Sequence, residues 1–325
     1  MEYRFFRTHL PFDVLTLNSE NSEMAIMFKD KLTPFPVLTP GQRLYLDING
    51  YVVIENTLTN DEVNRLRDAI YELRQKFFDA EDPIKHSIGT CRSSTDKCNK
   101  YYAAFHRILD ADDRFLEHFI HPRIVSLVEE AVGGKVLLEE AAVIVNSRDP
   151  EVDQNKPFKY GFHRGGQPGF DSYIYDDLYH CTFTRTLTNL TDIGPDDGGT
   201  ALIAGSHKLS CNENEMVAAA YENPALIHQI EAPAGSTMIM YETTIHSTNL
   251  IRSDLERVMI LGSYAHPKHQ VQGGPWSDEV IANAPEDSRE LFTGRPFWTW
   301  PERHRKLGDT PNKEDVPYVA RMWSV

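Results

Sequence analysis

The sequence predicts a mainly β fold with flanking helices: a double-stranded β-helix, or jelly roll, buttressed by N-terminal α-helices. Three observations predict it. Between residues 158 and 265, short alternating or apolar stretches ("TFTRTLTNLTDI", "TALIAGS", "GSTMIMYE", "RVMILGSYAH") are separated by Gly/Asp/Pro turns such as "GPDDGG", the spacing of strands in a sandwich or jelly roll. Upstream, "TNDEVNRLRDAIYELRQKFF" carries Val63, Leu66, Ile70 and Leu73 at helical spacing. The chain has 325 residues, 41% of them hydrophobic and 25% charged, enough for a sizeable core in an ordinary globular protein.

Taken in order, residues 1–42 read as an irregular lead-in, because the prolines of "LTPFPVLTPGQ" break helices. "YLDINGYVVIENT" then gives a helix end, an Asn-Gly turn and a β-branched strand from Tyr51 to Ile54. The amphipathic helix that follows has Thr59 or Asn60 as N-cap and acids in its first turn. Residues 79–104 are polar and poorly periodic, the mark of a lid or substrate loop. "DDRFLEHFIHPRIVSLVEEAVGG" is helical, interrupted at His121-Pro122 and ended by Gly133-Gly134. "KVLLEEAAVIVNS" is the next strand. The expected organisation is one domain over residues 1–325: a helical buttress with first strands (43–157), the jelly-roll core (158–265) and a C-terminal extension (266–325), in which "RPFWTW" supplies aromatics for a cleft mouth.

Charge and composition narrow the partners. A net charge of −15 argues against nucleic acid, whose binding needs clustered Lys and Arg. No apolar run approaches the roughly 20 residues of a membrane helix, and "MEYRFFRTHLPFD" does not read as a signal peptide. Cys91, Cys98, Cys181 and Cys211 form no CxxC pair and read as reduced thiols. The expectation is a cytoplasmic protein acting on a small-molecule substrate.

Three residues of the β-rich half carry chemistry. His163 follows a short strand; His246 ends the apparent strand "STMIMYETTIH"; Arg257 opens "RVMILGSY" eleven positions later. Two imidazoles from different strands can occupy one face of an iron ion and leave adjacent positions open. An arginine entering an apolar strand needs an anion, and its fork grips a carboxylate with two parallel hydrogen bonds.

Four segments in order, "LDINGYVVIENTLTNDEVNRLRDAI", "HPRIVSLVEEAVGG", "TDIGPDDGGTALIAGSHK" and "HSTNLIRSDLER", resemble the phytanoyl-CoA hydroxylase-like group of Fe(II)/2-oxoglutarate-dependent oxygenases across roughly residues 43–265. The resemblance implies a cupin-like jelly roll with Fe(II), 2-oxoglutarate and O2, His163 and His246 as iron ligands, and Arg257 as anchor of the cosubstrate. Thr200 and Thr184 are candidates to hydrogen-bond it.

The departure is Gly165. The family pattern is His-x-Asp or His-x-Glu, and here it is His163-Arg164-Gly165. Three readings follow. A small residue at this position resembles the non-heme iron halogenases, where chloride enters the iron site. Alternatively the protein is a hydroxylase or related 2-oxoglutarate-dependent oxidase in which water or another acid fills the position, Asp171 or Glu242, the latter needing a bulge because four strand residues span about 13 Å. The third reading is a non-catalytic jelly roll that binds a small molecule. Among the remaining histidines, His207 reads as a turn residue and His266 and His269 as surface residues. Arg252 reads as solvated, and Arg164 as a salt-bridging residue near the cleft.

Overall fold

The computed structural model describes residues 37–80, 101–153, 158–175, 177–269 and 276–293. Of its two compact units, Met1–Val37 lies almost wholly outside these residues, and the account is of Leu38–Val325. The expected lead-in, the loop at 79–104 and "RPFWTW" fall largely or wholly outside them.

Helix α1 (Pro40–Asn49) starts in a capping box in which the Thr39 hydroxyl accepts from Gln42 N, and it ends at Gly50. Gly50 has φ 84°, and a Cβ there would strike His207 and Thr244, so the Asn-Gly turn requires glycine for both conformation and space. β1 (Tyr51–Ile54) follows. α2 (Asn60–Asp79) has Thr59 as N-cap, again in a capping box with Glu62. After β2 (Tyr102–His106), the interrupted helical region is α3 (Asp113–Phe119) and α4 (Pro122–Val132), broken at His121-Pro122 and closed by Gly133 at φ 83°. Then come β3 (Leu137–Asn146), the hairpin β4 (Ser172–Tyr175) and β5 (Leu178–Cys181), β6 (Phe183–Asn189), β7 (Ala201–Ile203), α5 (Glu213–Glu222), β8 (Ile227–Gln229), β9 (Thr237–Tyr241), β10 (His246–Ser247) and β11 (Arg257–Ala265). Two short helices follow, α6 (Asp278–Asn283) and α7 (Glu290–Thr293).

The strands form an antiparallel six-stranded sheet, β1-β9-β6-β11-β3-β2, a three-stranded sheet, β10-β7-β8, and the β4-β5 hairpin. Period-two alternation divides the large sheet. Val258, Ile260 and Tyr264 of β11 pack outward with Leu66 and Ile70 of α2 and Phe115 of α3. Leu187, Met238, Met240 and Met259 face inward and meet Leu202 of the small sheet. Two sheets closed over that inner cluster make the jelly roll, with the helices as its outer layer. No helix among the described residues is long and apolar enough to cross a membrane.

The apparent strand "STMIMYETTIH" is in fact two strands. β9 stops at Tyr241, a turn closes with Thr244 N donating to Tyr241 O at 2.9 Å, and His246 opens β10 in the other sheet.

Candidate active site

His163 and His246 are neighbours. They form an antiparallel bridge, with His163 N to His246 O at 3.0 Å and His246 N to His163 O at 2.8 Å. Their ring centroids lie 4.4 Å apart. Each ring is oriented by a carbonyl two residues earlier: His163 Nδ1 meets Gly161 O, and His246 Nδ1 meets Thr244 O, both at 2.9 Å. Those bonds commit Nδ1 as the protonated nitrogen and leave Nε2 with a lone pair on each ring, the tautomer that a metal ligand needs. His246 is buried, and burial pushes its imidazole down to about 4; Glu242 opposes this and His163 adds to it. An oriented pair of imidazoles fits a divalent ion.

Position 165 faces the turn that β9 makes. Gly165 N and Gly166 N both donate to Glu242 O at 3.0 Å. A Cβ at Gly165 would overlap Glu242 Oε2 and lie 3.1 Å from both Glu242 Cδ and Phe183 Cε1. The space that glycine leaves is therefore taken by the Glu242 carboxylate, which is 1% exposed. Glu242 reaches there through the Tyr241–Thr244 turn, where a bulge was expected. Asp171 does not reach it: its Oδ2 accepts from Gln167 N at 2.7 Å and its Oδ1 lies 3.2 Å from His269 Nδ1. Among the described residues no three His, Cys, Asp or Glu side chains stand together as a ready-made metal shell. The site is two imidazoles with a carboxylate beside them.

The sequence reading missed what holds Glu242. Arg185 Nε pairs with Glu242 Oε1, and Arg185 Nη2 lies 3.7 Å from Glu140 Oε2. Glu140 Oε1 meets His106 Nδ1 at 2.6 Å, and Ser263 Oγ donates to Glu140 Oε2 at 3.2 Å. Burial alone would raise the Glu140 carboxyl, yet the His106 hydrogen bond and the Arg185 charge hold it below its ordinary value.

Arg257 is 2% exposed. Its Nη1 donates to Gly198 O at 2.6 Å and its Nη2 to Thr200 Oγ1 at 3.2 Å, while Nε has no partner. No carboxylate among the described residues pairs with it. Burial pushes the guanidinium down to about 10, which still leaves it charged at neutral pH. A buried, uncompensated cation with an idle N–H fits an anionic ligand. The cavity beside it, about 10 Å³, is walled by Leu187, Asn189, Thr200, Ile230 and Met238. That volume holds about one water, so a larger ligand must displace side chains, and methionine yields most readily. Arg257 and the histidines converge through β7: Leu202 pairs with His246, and Thr200, two strand residues or about 7 Å away, carries the Arg257 contact.

Several expectations need correction. Thr184 does not join Arg257: its hydroxyl donates to Cys181 O at 3.3 Å, and period two puts it on the face opposite Leu187 and Asn189. His266 is not a surface residue but 8% exposed, its N–H bonded to Thr182 O at 2.8 Å. His207 does lie in the expected turn, a 3-10 helix over Ser206–Lys208, and it is fully buried there against Tyr179 and Tyr241. Arg164 does salt-bridge, with Nε 3.5 Å from Glu213 Oε2, and Arg252 is exposed. Cys181 and Cys211 are free thiols; Cys91 and Cys98 lie outside the described residues.

Comparison with known proteins identifies the family. Residues 46–259 match the family described as phytanoyl-CoA dioxygenase (PhyH). No curated protein sequence gives a match. Among solved structures, HygX from Streptomyces hygroscopicus with nickel and 2-oxoglutarate bound is similar over 71% of this chain and 88% of its own, at 18% identity and a TM-score of 0.56. EctD from S. alaskensis with bound Fe is similar over 75% of this chain and 82% of its own, at 14% identity and a TM-score of 0.56. SnoK, a non-heme alpha ketoglutarate dependent carbocyclase from nogalamycin biosynthesis, is similar over 76% and 92%, at 14% identity and a TM-score of 0.54. At these identities the structures speak for the fold.

Proposed function

Because the chain belongs to the phytanoyl-CoA dioxygenase (PhyH) family, and so to the Fe(II)/2-oxoglutarate-dependent oxygenases, we propose that it hydroxylates an unactivated C–H bond of a small molecule, with Glu242 standing in the space of the missing carboxylate. Residues 1–325 are taken as a single oxygenase domain. Iron(II), 2-oxoglutarate and O2 supply the oxidising power; the chain's own groups bind, orient and exclude water. His163 and His246 would hold the metal through Nε2. Arg257 would grip the distal carboxylate of 2-oxoglutarate, its fork steadied by Thr200 Oγ1 and Gly198 O. HygX, which has also been solved with hygromycin B bound, supports a small-molecule substrate.

The observation that carries the choice of hydroxylation is the Glu242 carboxylate inside the volume freed by Gly165. A halide bound at the metal in place of a carboxylate needs that volume free and uncharged. Glu242 fills it and brings a negative charge, and the nearest cation, Arg185, is already paired with Glu242. Like-charge repulsion in a buried setting is strong. Glu242 would then complete the metal's surroundings directly or through water.

The test has two stages. Full-length protein with Fe(II), 2-oxoglutarate and air should form succinate, and Arg257→Ala should not; no succinate with any substrate would favour the binding-protein reading. With a turned-over substrate, product mass is measured with and without chloride or bromide. A gain of one oxygen, indifferent to halide, is expected. A halide-dependent mass gain overturns the role given to Glu242.

A further inference from the structure

Where the edge strands of the two sheets meet, β1 of the large sheet and β8 of the small one, hydrogen-bonded rings lead from the barrel interior to the surface. Tyr51 belongs to the inner cluster with Leu202, Met238, Met240 and Met259 and is 4% exposed. Its hydroxyl meets His228 Nδ1 at 2.8 Å and the Tyr45 hydroxyl at 2.9 Å. Tyr45, on α1, is 39% exposed, and its ring stands edge-on to that of Tyr51 at a centroid distance of 5.5 Å. Register fixes the row that leads inward: His246 pairs with Leu202, and Leu202 with His228. Directly opposed residues share a face of a sheet. His228 therefore stands on the same inner face as His246, two strand spacings or about 10 Å along the sheet.

A latch between the sheets needs only a hydrogen bond, but the partners here are those of an oxidisable phenol. A phenol that loses an electron becomes a strong acid, so it gives the electron up readily only where a base takes its proton. Tyr179 and Tyr241 are also buried, yet their hydroxyls donate to carbonyls, His207 O at 2.9 Å and Tyr179 O at 3.0 Å, and a carbonyl is not a base. Tyr51 faces an imidazole instead. Burial pushes the His228 imidazole down, which leaves it neutral with a lone pair at neutral pH. Burial also pushes the Tyr51 phenol up, which holds its proton in place until the ring is oxidised. The second partner, Tyr45, can refill that ring, because an electron and a proton can leave it together through the shared hydrogen bond.

We propose that Tyr51, His228 and Tyr45 form an oxidation relay that carries an unspent oxidising equivalent out of the barrel when O2 is activated with no substrate in place. The inference rests on the proposed metal site at His163 and His246, the oxidant being the one that the family generates from iron, 2-oxoglutarate and O2. One electron leaves the Tyr51 ring for that oxidant, and the phenolic proton moves to His228 Nδ1. Tyr45 then gives one electron to the Tyr51 ring and its own phenolic proton to the Tyr51 oxygen, which leaves a neutral phenoxyl radical at the surface. A soluble hydrogen-atom donor of the ascorbate class restores Tyr45, and the proton on His228 passes into the barrel. Two rounds bring in two electrons and two protons, which an oxygen atom needs to leave as water. Without the relay the oxidant turns on the inner cluster, whose methionines are converted to sulfoxides.

The test uses full-length protein with Fe(II), 2-oxoglutarate and O2 but no further substrate, frozen during the first turnover and read by electron paramagnetic resonance. Succinate is measured in the same samples. A neutral tyrosyl radical is expected. Tyr51→Phe and His228→Phe should each abolish it. Tyr45→Phe, at an exposed position, should confine the radical to Tyr51 and make it insensitive to ascorbate. By mass spectrometry, Met238, Met240 and Met259 should stay unmodified in wild-type protein with ascorbate and gain oxygen in Tyr51→Phe. If Tyr51→Phe misfolds, His228→Phe and Tyr45→Phe decide. A second series replaces 2-oxoglutarate and O2 with hydrogen peroxide. A Tyr51-dependent radical with peroxide, and no succinate from 2-oxoglutarate, overturns the proposed function and supports the relay. Succinate without a tyrosyl radical overturns the relay alone, as does a Tyr51→Phe protein that loses Tm but keeps the radical. No radical by either route also overturns the relay.

Discussion

The two ends of the barrel interior treat buried charge in opposite ways. At the histidine end, Glu242, Arg185, Glu140 and His106 form an unbroken chain of ion pairs and hydrogen bonds. At the other end Arg257 is as deeply buried and finds only a carbonyl and a hydroxyl, with Nε idle. A buried charge with an opposite charge beside it fixes structure, while a cation without such a partner can accept an anionic ligand. On the proposed function, the first end would position Glu242 beside His163 and His246, and the second would receive the dicarboxylate. The inner cluster of Met238, Met240 and Met259 with Leu187 is apolar, and its methionines are adaptable.

The sharpest break of this contrast is to remove each arginine. Arg185→Met should destabilise the ligand-free protein by about 3–5 kcal/mol, because it strands buried Glu242, measured as a fall in the urea midpoint. Adding Glu242→Gln should recover much of the loss. Arg257→Met should leave ligand-free stability unchanged or raised, yet cost about 2–5 kcal/mol in 2-oxoglutarate binding, measured by calorimetry and succinate formation. Equal destabilisation by the two substitutions would show that the ends do not differ.

A smaller effect sharpens the account of Gly165. Gly165→Ala puts a Cβ against Glu242 Oε2 and should cost about 1–3 kcal/mol as an overpacked site. Glu242→Ala frees that space, so Gly165→Ala should be close to neutral in its presence, and the double-mutant cycle should show strong coupling. The same logic predicts that Gly165→Asp binds iron more tightly alongside Glu242→Ala than alone, by metal titration. Additive effects would mean that position 165 and Glu242 do not compete for one volume.

How much of this was legible follows from where each signal lives. Arg257 declares itself locally, as a charge opening an apolar strand. His163 and His246 do not: thirteen histidines occur, and only the ordered family segments single out these two. The role of Glu242 stays hidden because "ETTIH" continues a β-branched run and reads as strand. The bend depends on long-range bonds, Gly165 N and Gly166 N to Glu242 O. Arg185 was within reach. Once the threonine row of "TFTRTLTN" is put on one face, Phe183, Arg185, Leu187 and Asn189 must share the other. A lone charge on that face, like Glu140 in "LLEEAAVIV", signals a buried pair. Helix α5 was overlooked although Asn212 caps it and "MVAAAYE" favours helix, because its setting among strands suggested only turns.

The gentlest prediction concerns histidines that belong to neither end of the barrel. Burial pushes His118 down to about 3, and His180, His207 and His266 down to about 4, against about 6.5 in the unfolded chain. Their folded pKa values are depressed, so the unfolded state takes up protons first as pH falls. Their contribution to stability is complete above about pH 6.5 and is lost progressively towards pH 4, by up to about 1.4 kcal/mol per pH unit for each histidine. The urea midpoint at constant temperature should therefore decline from pH 7 to pH 4.5. His180→Phe keeps a ring stacked on Tyr173, where the centroids are 5.3 Å apart, but removes one titrating group, so it should flatten that decline. An unchanged slope in the variant would mean that His180 gains a proton in the folded state as easily as in the unfolded one, which its packing against α4 does not allow.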